Sequence, residues 1–304
     1  MIIEPSKSIR FQKNAFGYEP ITTLEPGHWI AKNVPAIHEE PYLTSIENYI
    51  TKFEFDIQDF YYNGSYIKIA ATWNDVSKYL FESDYFGKVL QQSNYLNDEI
   101  KIIEEMKLLP QEKLKAAFEL AKTIQWDQKE SVFTTTLSLE SIFKKKIGNS
   151  TEINLILLQI LRKLDFEADP VVLSTRQNGI LSITYPSLAK LNHTIVRVKL
   201  NDEFILIDAT EKYLPYHLLP KKCLNYHGRA IYPFINSHFV DLIPTGNYLK
   251  KTNYNLNLEN NLFSGKIINE YSDYAGQEFR NNYFHSIAKR NIVKILRIKK
   301  VALK

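Results

Sequence analysis

Apolar residues recur along this chain with different periods, and each change of period marks an element. Up to about residue 74 they alternate with polar ones. The run YITKFEFDIQDFYYNGSYIKIAATW holds two aromatic, alternating stretches, the signature of strands with one buried face. Asn63-Gly64 between them predicts a two-residue hairpin. The preceding WIAKNVPAIHEEPY is a loop punctuated by Pro35 and Pro41. From Asn74 the period becomes helical. NDVSKYLFESDYFGKVLQ opens on Asn74 and Asp75, both candidate caps, and NDEIKIIEEMKLL carries Ile100, Ile103 and Met106 at helical spacing. Pro110 starts PQEKLKAAFELAKTIQWD, in which Leu114, Ala117, Phe118, Ala121 and Ile124 form one stripe. A Thr/Ser-rich link leads into STEINLILLQILRKLDF, apolar nearly all round at Ile153, Leu155, Ile156, Leu157, Leu158, Ile160 and Leu161. So little polar surface predicts a buried helix.

The pattern then returns to strands. DPVVLSTR predicts a buried strand, and HTIVRVKL and EFILIDAT flank Asn201-Asp202, a two-residue turn. EKYLPYHLLPKKCLNYHGRAIY is loop-rich. After about residue 235, NYNLNLENNLFSGKIINEY alternates around a turn, and AGQEFRNNYFHSIAKRNIVKILRIKKVALK closes the chain as a helix. The order is β region, helices, buried helix, antiparallel strands, β region. This predicts an α+β fold rather than an alternating parallel one.

Composition narrows the class. A chain of 304 residues, 44% apolar and 13% aromatic, allows two domains or three small ones with cores that need no staples. Its 38 Lys and Arg against 34 Asp and Glu leave a mild +4, which does not point to nucleic acid. One cysteine, Cys223, excludes an internal disulfide and leaves the redox compartment unreadable. No run of about 18 apolar residues predicts a membrane span, and the start MIIEPSKSIRFQ lacks the apolar core of a signal peptide. There is no phosphate loop, dinucleotide fingerprint or HExxH pair, so no cofactor is predicted. Cys223 lies four residues from His227, but no second pair completes a zinc set. It is read as a packed thiol, and no metal site is predicted. Nor do His28, His38, His217, His238 and His285 show metal-ligand spacing. Trp126 is read as core at a helix end, or else as lining a substrate groove. The basic tail, with Lys289, Arg290, Lys294, Arg297, Lys299, Lys300 and Lys304, is read as a solvated face, with phosphate or an anionic membrane as the other reading.

One constellation could carry chemistry: Ser150, His193 and Asp208. With Asn201-Asp202 at the turn, Leu200 faces Glu203, Ile195 faces Asp208 and His193 faces Thr210. Side chains alternate along a strand, so His193 and Asp208 share a face as diagonal neighbours, about 7–8 Å apart at the backbone. Ser150 stands where a helix begins. The free N–H groups there would stabilise a thiolate or an oxyanion. A nucleophile at a helix terminus, a histidine base and an orienting carboxylate are the parts of a triad. The plainer reading is capping: serine is a favoured N-cap, and Asn149 followed by Glu152 resembles a capping box.

GNSTEINLILLQILRKLDFEADPVVLSTR resembles the core segment of the transglutaminase-like superfamily, in which a G-x-C turn opens a buried helix leading to a strand. HTIVRVKLNDEFILIDAT resembles its His strand and its D-A/P-T strand. The resemblance implies a papain-related core, a buried central helix on an antiparallel sheet, with a triad at Ser150, His193 and Asp208. His193 and Asp208 match the family's residues, whereas Ser150 stands where the family has cysteine. WIAKNVPAIHEEPY, SYIKIAATWNDVSKYL and DATEKYLPYHLLPKKCLNYHGRAI resemble a bacterial subgroup with a β-rich domain before the core and another after it. That implies a β-rich segment at 1–74, a core at 75–234 and the start of a β-rich domain at 235–304, in a chain cut from a larger exported or cell-envelope protein. Two functions follow. Because a hydroxyl is far less acidic than a thiol, the first is a non-catalytic module that binds a peptide, protein or glycopeptide, and no nucleic acid. The second is an acyl-transfer enzyme acting through Ser150, His193 and Asp208. Ser150 is also readable as an engineered Cys→Ser change, and a cysteine at 150 would be expected to ionise readily.

Overall fold

The computed structural model describes residues 8–25, 28–38, 40–41, 43–232, 237–259 and 262–285. Its first part is β-rich. Strand β1 (Ile9–Phe16) precedes a small ribbon, β2 (Thr22–Glu25) with β3 (His28–Ile30). Strands β4 (Lys52–Tyr62) and β5 (Ser65–Lys68) form the predicted hairpin. Asn63 and Gly64 both adopt positive φ (48° and 85°), the two-residue geometry that matches strand twist. β4 pairs antiparallel with both β1 and β5. Trp29, Phe53, Phe55 and Phe11 pack ring on ring over this sheet.

Three helices follow: α1 (Trp73–Glu82), α2 (Asn97–Glu105) and α3 (Pro110–Ala121). Helix α1 is capped by Thr72, not by Asn74 or Asp75. Asp75 is instead the returning partner of the capping box, accepting from the Thr72 N–H at 2.8 Å. On α3 the predicted stripe is buried at Leu114, Ala117, Phe118 and Ala121, with Ile124 just beyond. On α2 the stripe stops at Ile103, since Met106 is 56% exposed. A two-residue strand β6 (Gln125–Trp126) places Trp126 past the helix end. The Thr/Ser-rich link then hides a helix, α4 (Leu139–Lys145), before β7 (Ile147–Gly148), which pairs in parallel with β6. Seven residues carry too little periodicity to be read from sequence.

Helix α5 (Ser150–Lys163) is the centre of the molecule: every residue from Ser150 to Leu161 is buried. It rests on a five-stranded antiparallel sheet of order β10-β9-β8-β11-β12. The strands are β8 (Ala168–Leu173), β9 (His193–Leu200), β10 (Glu203–Ile207), β11 (His227–Ala230) and β12 (His238–Asp241). Val172, Val196 and Val198 meet Leu155, Leu157 and Leu158 of the helix in one core. Burying each such side chain contributes about 1.5–3 kcal/mol, enough for the sheet to need this helix on its face. β11 lies inside the stretch read as loop. The chain ends in a long hairpin, β13 (Tyr248–Glu259) and β14 (Leu262–Ser272), followed by α6 (Asp273–His285). The basic tail lies outside the described residues. No described helix is long and apolar enough to cross a membrane.

Candidate functional site

Gly148 lets the chain approach α5 closely: a β-carbon there would stand 2.7 Å from Ile142 Cγ2 and 3.0 Å from Glu152 Oε2. Asn149 is then the N-cap of α5, and Ser150 is the first helical residue rather than the cap. Asn149 Oδ1 accepts from the Glu152 N–H at 2.9 Å, and Glu152 Oε2 accepts from the Asn149 N–H at 2.8 Å.

Ser150 is fully buried. The segment Lys129–Ser131 lies directly across it. The Ser150 N–H donates to Lys129 O (3.2 Å), and its hydroxyl accepts from the Ser131 N–H (3.3 Å) and donates to Ser131 O (3.4 Å). Thr151 Oγ1 binds the same Ser131 carbonyl at 2.5 Å. The helix terminus that would hold an oxyanion is thus covered by main chain.

The hairpin register is Leu200 opposite Glu203 through Val196 opposite Ile207. Extended by one pair, it puts Ile195 opposite Asp208, and the diagonal His193 reaches the carboxylate: Nε2 lies 2.6 Å from Asp208 Oδ2. The other ring nitrogen, Nδ1, is taken by Glu130 Oε2. Asp208 Oδ1 accepts from the Thr210 N–H (2.7 Å) and from Asn154 Nδ2 (3.2 Å). Asn154 also accepts from the Ala209 N–H and donates to Thr194 O, so α5 clamps the two strands at this point. Cys223 Sγ donates to Asp208 Oδ2 at 3.5 Å. Lys222 Nζ lies 3.0 Å from Glu130 Oε1 and 3.4 Å from the centre of the Trp126 ring. The structure therefore joins His193 to Asp208, but no hydrogen bond links either ring nitrogen to Ser150.

The charges form a closed set. Burial opposes a proton on His193, but Cys223 and Asp208 more than offset this and raise its pKa well above the ordinary imidazole value. Burial likewise opposes charge on Asp208. The His193 charge and hydrogen bond, with Lys222 and the Thr210 N–H, outweigh it and hold the carboxyl below its usual range. Glu130 is lowered in the same way: burial is overcome by His193 and Lys222. The Lys222 ammonium is disfavoured by burial and then raised by Asp208, Cys223 and Glu130. Burial pushes the Cys223 thiol up to about 11, with the His193 charge opposing the rise. An imidazolium between two carboxylates has no lone pair with which to take a proton from a hydroxyl.

Beside this set lies a cavity of about 620 Å³, with Trp126, Glu130, Arg176, Lys221 and Lys222 in its walls. A second, of about 750 Å³, shares Trp126 and continues past Thr210, Glu211 and Tyr213. Both cavities border Trp126, which is also packed against the main core, so its position fits the core reading and the groove reading alike. A further cavity of about 770 Å³, lined by Tyr66, Tyr79 and Tyr85 between β5 and α1, is remote from these residues. The hairpin arithmetic could find His193 and Asp208. It could not find Glu130 and Lys222, which come from loops, and it left Cys223 as mere packing. Asn154 did carry a signal: an amide in an otherwise apolar helix needs partners wherever it is buried.

Fold and site together define an α+β protein with a buried ionic cluster beside two cavities that share Trp126. No protein-family model and no curated protein sequence matches the chain. Among solved structures, it is similar to a protein of Parabacteroides distasonis proposed to be a protease, with 13% identity and a TM-score of 0.48. That alignment covers 78% of this chain and 41% of the other, so the chain spans less than half the length of that protein. A TGase structure shows 15% identity and a TM-score of 0.28 over 38% of this chain and 31% of its own. Both are likenesses of chain path at low identity and partial coverage.

Proposed function

We propose that this chain is a transglutaminase-like module without acyl-transfer chemistry, which binds a peptide or protein ligand in the groove centred on Trp126. The observation that carries this reading is the state of His193. Both of its ring nitrogens are held by carboxylates, and the Ser150 hydroxyl is held by the Ser131 main chain. A working serine needs its base within hydrogen-bond reach and an open oxyanion hole. Burial of Ser150 under Lys129–Ser131 opposes both. The groove supports a ligand with an apolar part for Trp126 and carboxylates for its rim. Arg176 and Lys221 stand there, and neither pairs with a carboxylate among the described residues. Residues 1–74 and 235–304 are read as segments packed on a 75–234 core.

Three measurements test the reading. A fluorophosphonate probe is expected to leave the native protein unlabelled, and iodoacetamide is expected to spare the thiol of a Ser150→Cys variant. Burial there overrides the reactivity that position alone would suggest. Fluorophosphonate labelling that disappears in His193→Ala would overturn the proposal in favour of a serine acyl-transfer enzyme. Binding is read on an array of synthetic peptides. Trp126→Ala is expected to weaken every binder at least tenfold, and Ser150→Ala to leave it unchanged. An array with no binder, or binders indifferent to Trp126, would remove the groove from the proposal.

A further inference from the structure

Cys223, set aside in the sequence because only His227 lay near it, has different partners in space. His227 turns to Asp241, with Nδ1 at 3.0 Å from Oδ1. Cys223 instead meets His193 and Asp208, and the three ligand atoms all lie within 4.8 Å of one another. We propose that His193, Asp208 and Cys223 form a buried site for one divalent transition-metal ion, zinc being the best match to an imidazole, a carboxylate and a thiolate. This inference goes beyond the binding reading and does not depend on it, since a metal on Nε2 also keeps His193 from acting as a base.

The donors are of the types zinc takes, and three protein ligands leave one tetrahedral position for a water. With zinc bonds of ordinary length, neighbouring N and O donors stand about 3.3 Å apart, and S and O donors about 3.5 Å. The Cys223–Asp208 separation is already 3.5 Å, and the His193–Asp208 separation of 2.6 Å has to widen by roughly 0.7 Å. The supports are of the kind that orient metal ligands. Glu130 holds the far ring nitrogen of His193, which leaves Nε2 aimed at the ion. The Thr210 N–H and Asn154 hold Asp208 Oδ1, which leaves Oδ2 free to coordinate. Charge closes as well: the thiolate and Asp208 neutralise the ion, while Glu130 and Lys222 neutralise each other. All three ligands are wholly buried, so the ion enters as the chain folds or as the Lys221–Cys223 turn opens.

To test this, the full chain is unfolded in urea with a reductant, refolded with Co²⁺ or Zn²⁺, and freed of loose ion by gel filtration. The expected result is one Co²⁺ per chain, with a thiolate-to-cobalt charge-transfer band in the near ultraviolet and the intense visible bands of a tetrahedral ion. Because Cys223 is the only cysteine, Cys223→Ser must abolish the charge-transfer band. Glu130→Gln, which weakens the support of His193 and leaves Lys222 without its counter-charge, is expected to weaken binding about 10–100-fold. Zinc should raise the melting temperature reversibly with a chelator. Wild-type protein that refolds without retaining cobalt overturns the proposal whatever the variants do. So does a cobalt spectrum that is unchanged in His193→Gln.

Discussion

The imidazole of His193 lies between the carboxylates of Asp208 and Glu130, so its charge belongs to the stability of the fold as much as to any chemistry. The signs follow from the shifts. His193 is raised, so its contribution is fully present below about pH 6.5, the unfolded value, and is lost as pH climbs through its folded pKa. Asp208 and Glu130 are lowered, so theirs are present above about pH 4 and lost as pH falls through their folded pKa values. The metal-free protein should therefore be most stable between roughly pH 4.5 and 6.5. Urea midpoints measured across pH should decline above that window in the wild type. In His193→Gln the plateau should be lower and the alkaline decline shallower. A wild type whose advantage over His193→Gln grows from pH 6.5 to 9 would contradict the charged pair.

At the scale of the element, α5 depends on its first turn. The Asn149–Glu152 capping box satisfies two N–H groups that a helix start leaves without partners. Asn149→Ala should cost about 1 kcal/mol, and Asn149→Ser should recover most of it. Glu152→Ala should cost more, because Glu152 Oε1 also accepts from the Thr135 N–H at 2.7 Å and its hydroxyl at 2.6 Å. The buried Asn149 N–H, which also loses its Glu152 partner, adds about 1–3 kcal/mol. Denaturant melts should rank Asn149→Ser as most stable, then Asn149→Ala, then Glu152→Ala; a Glu152→Ala no weaker than Asn149→Ala would mean the link to Thr135 is not formed. Farther along, Leu157→Ala in the middle of the core should cost about 2–5 kcal/mol.

At the scale of the whole molecule, the N-terminal sheet is tied to the loop before β9. Ser187 Oγ meets Asp56 Oδ1 at 2.5 Å, Lys190 Nζ meets Glu54 Oε1 at 2.5 Å, and Gln12 Nε2 donates to Pro186 O at 3.1 Å. Asp56 is buried on the sheet, and its contact with Ser187 is made across 131 residues of chain. The proposed 1–74 segment should therefore not survive alone. Limited proteolysis is expected to give no stable fragment of that length, and recovery of one that remains folded would show it to be an independent domain. Ser187→Ala with Lys190→Ala should speed cleavage between the sheet and the core, because it removes two of these ties while leaving both parts intact.

Periodicity along the chain determined the elements that are long or strongly patterned. The Asn63-Gly64 and Asn201-Asp202 hairpins, the stripe of α3, the buried helix α5 and the hairpin β13–β14 all stand where alternation or helical spacing put them. A side-chain period is a local property, and two-residue turns set a register by themselves, so strand alternation and one turn suffice to bring His193 and Asp208 together. Short or loop-borne features were not legible. Helix α4 has barely two turns, Thr72 caps α1 from just outside the helical pattern, and Ser150 proved to be one residue inside its helix instead of capping it. Only the tertiary structure decided what surrounds the site. Glu130 and Cys223 are separated from His193 by 63 and 30 residues of chain, and no local period encodes an encounter over such distances. Packing brings them there, and their charges and hydrogen bonds, summed in a buried volume, decide whether Ser150 and His193 can act as nucleophile and base.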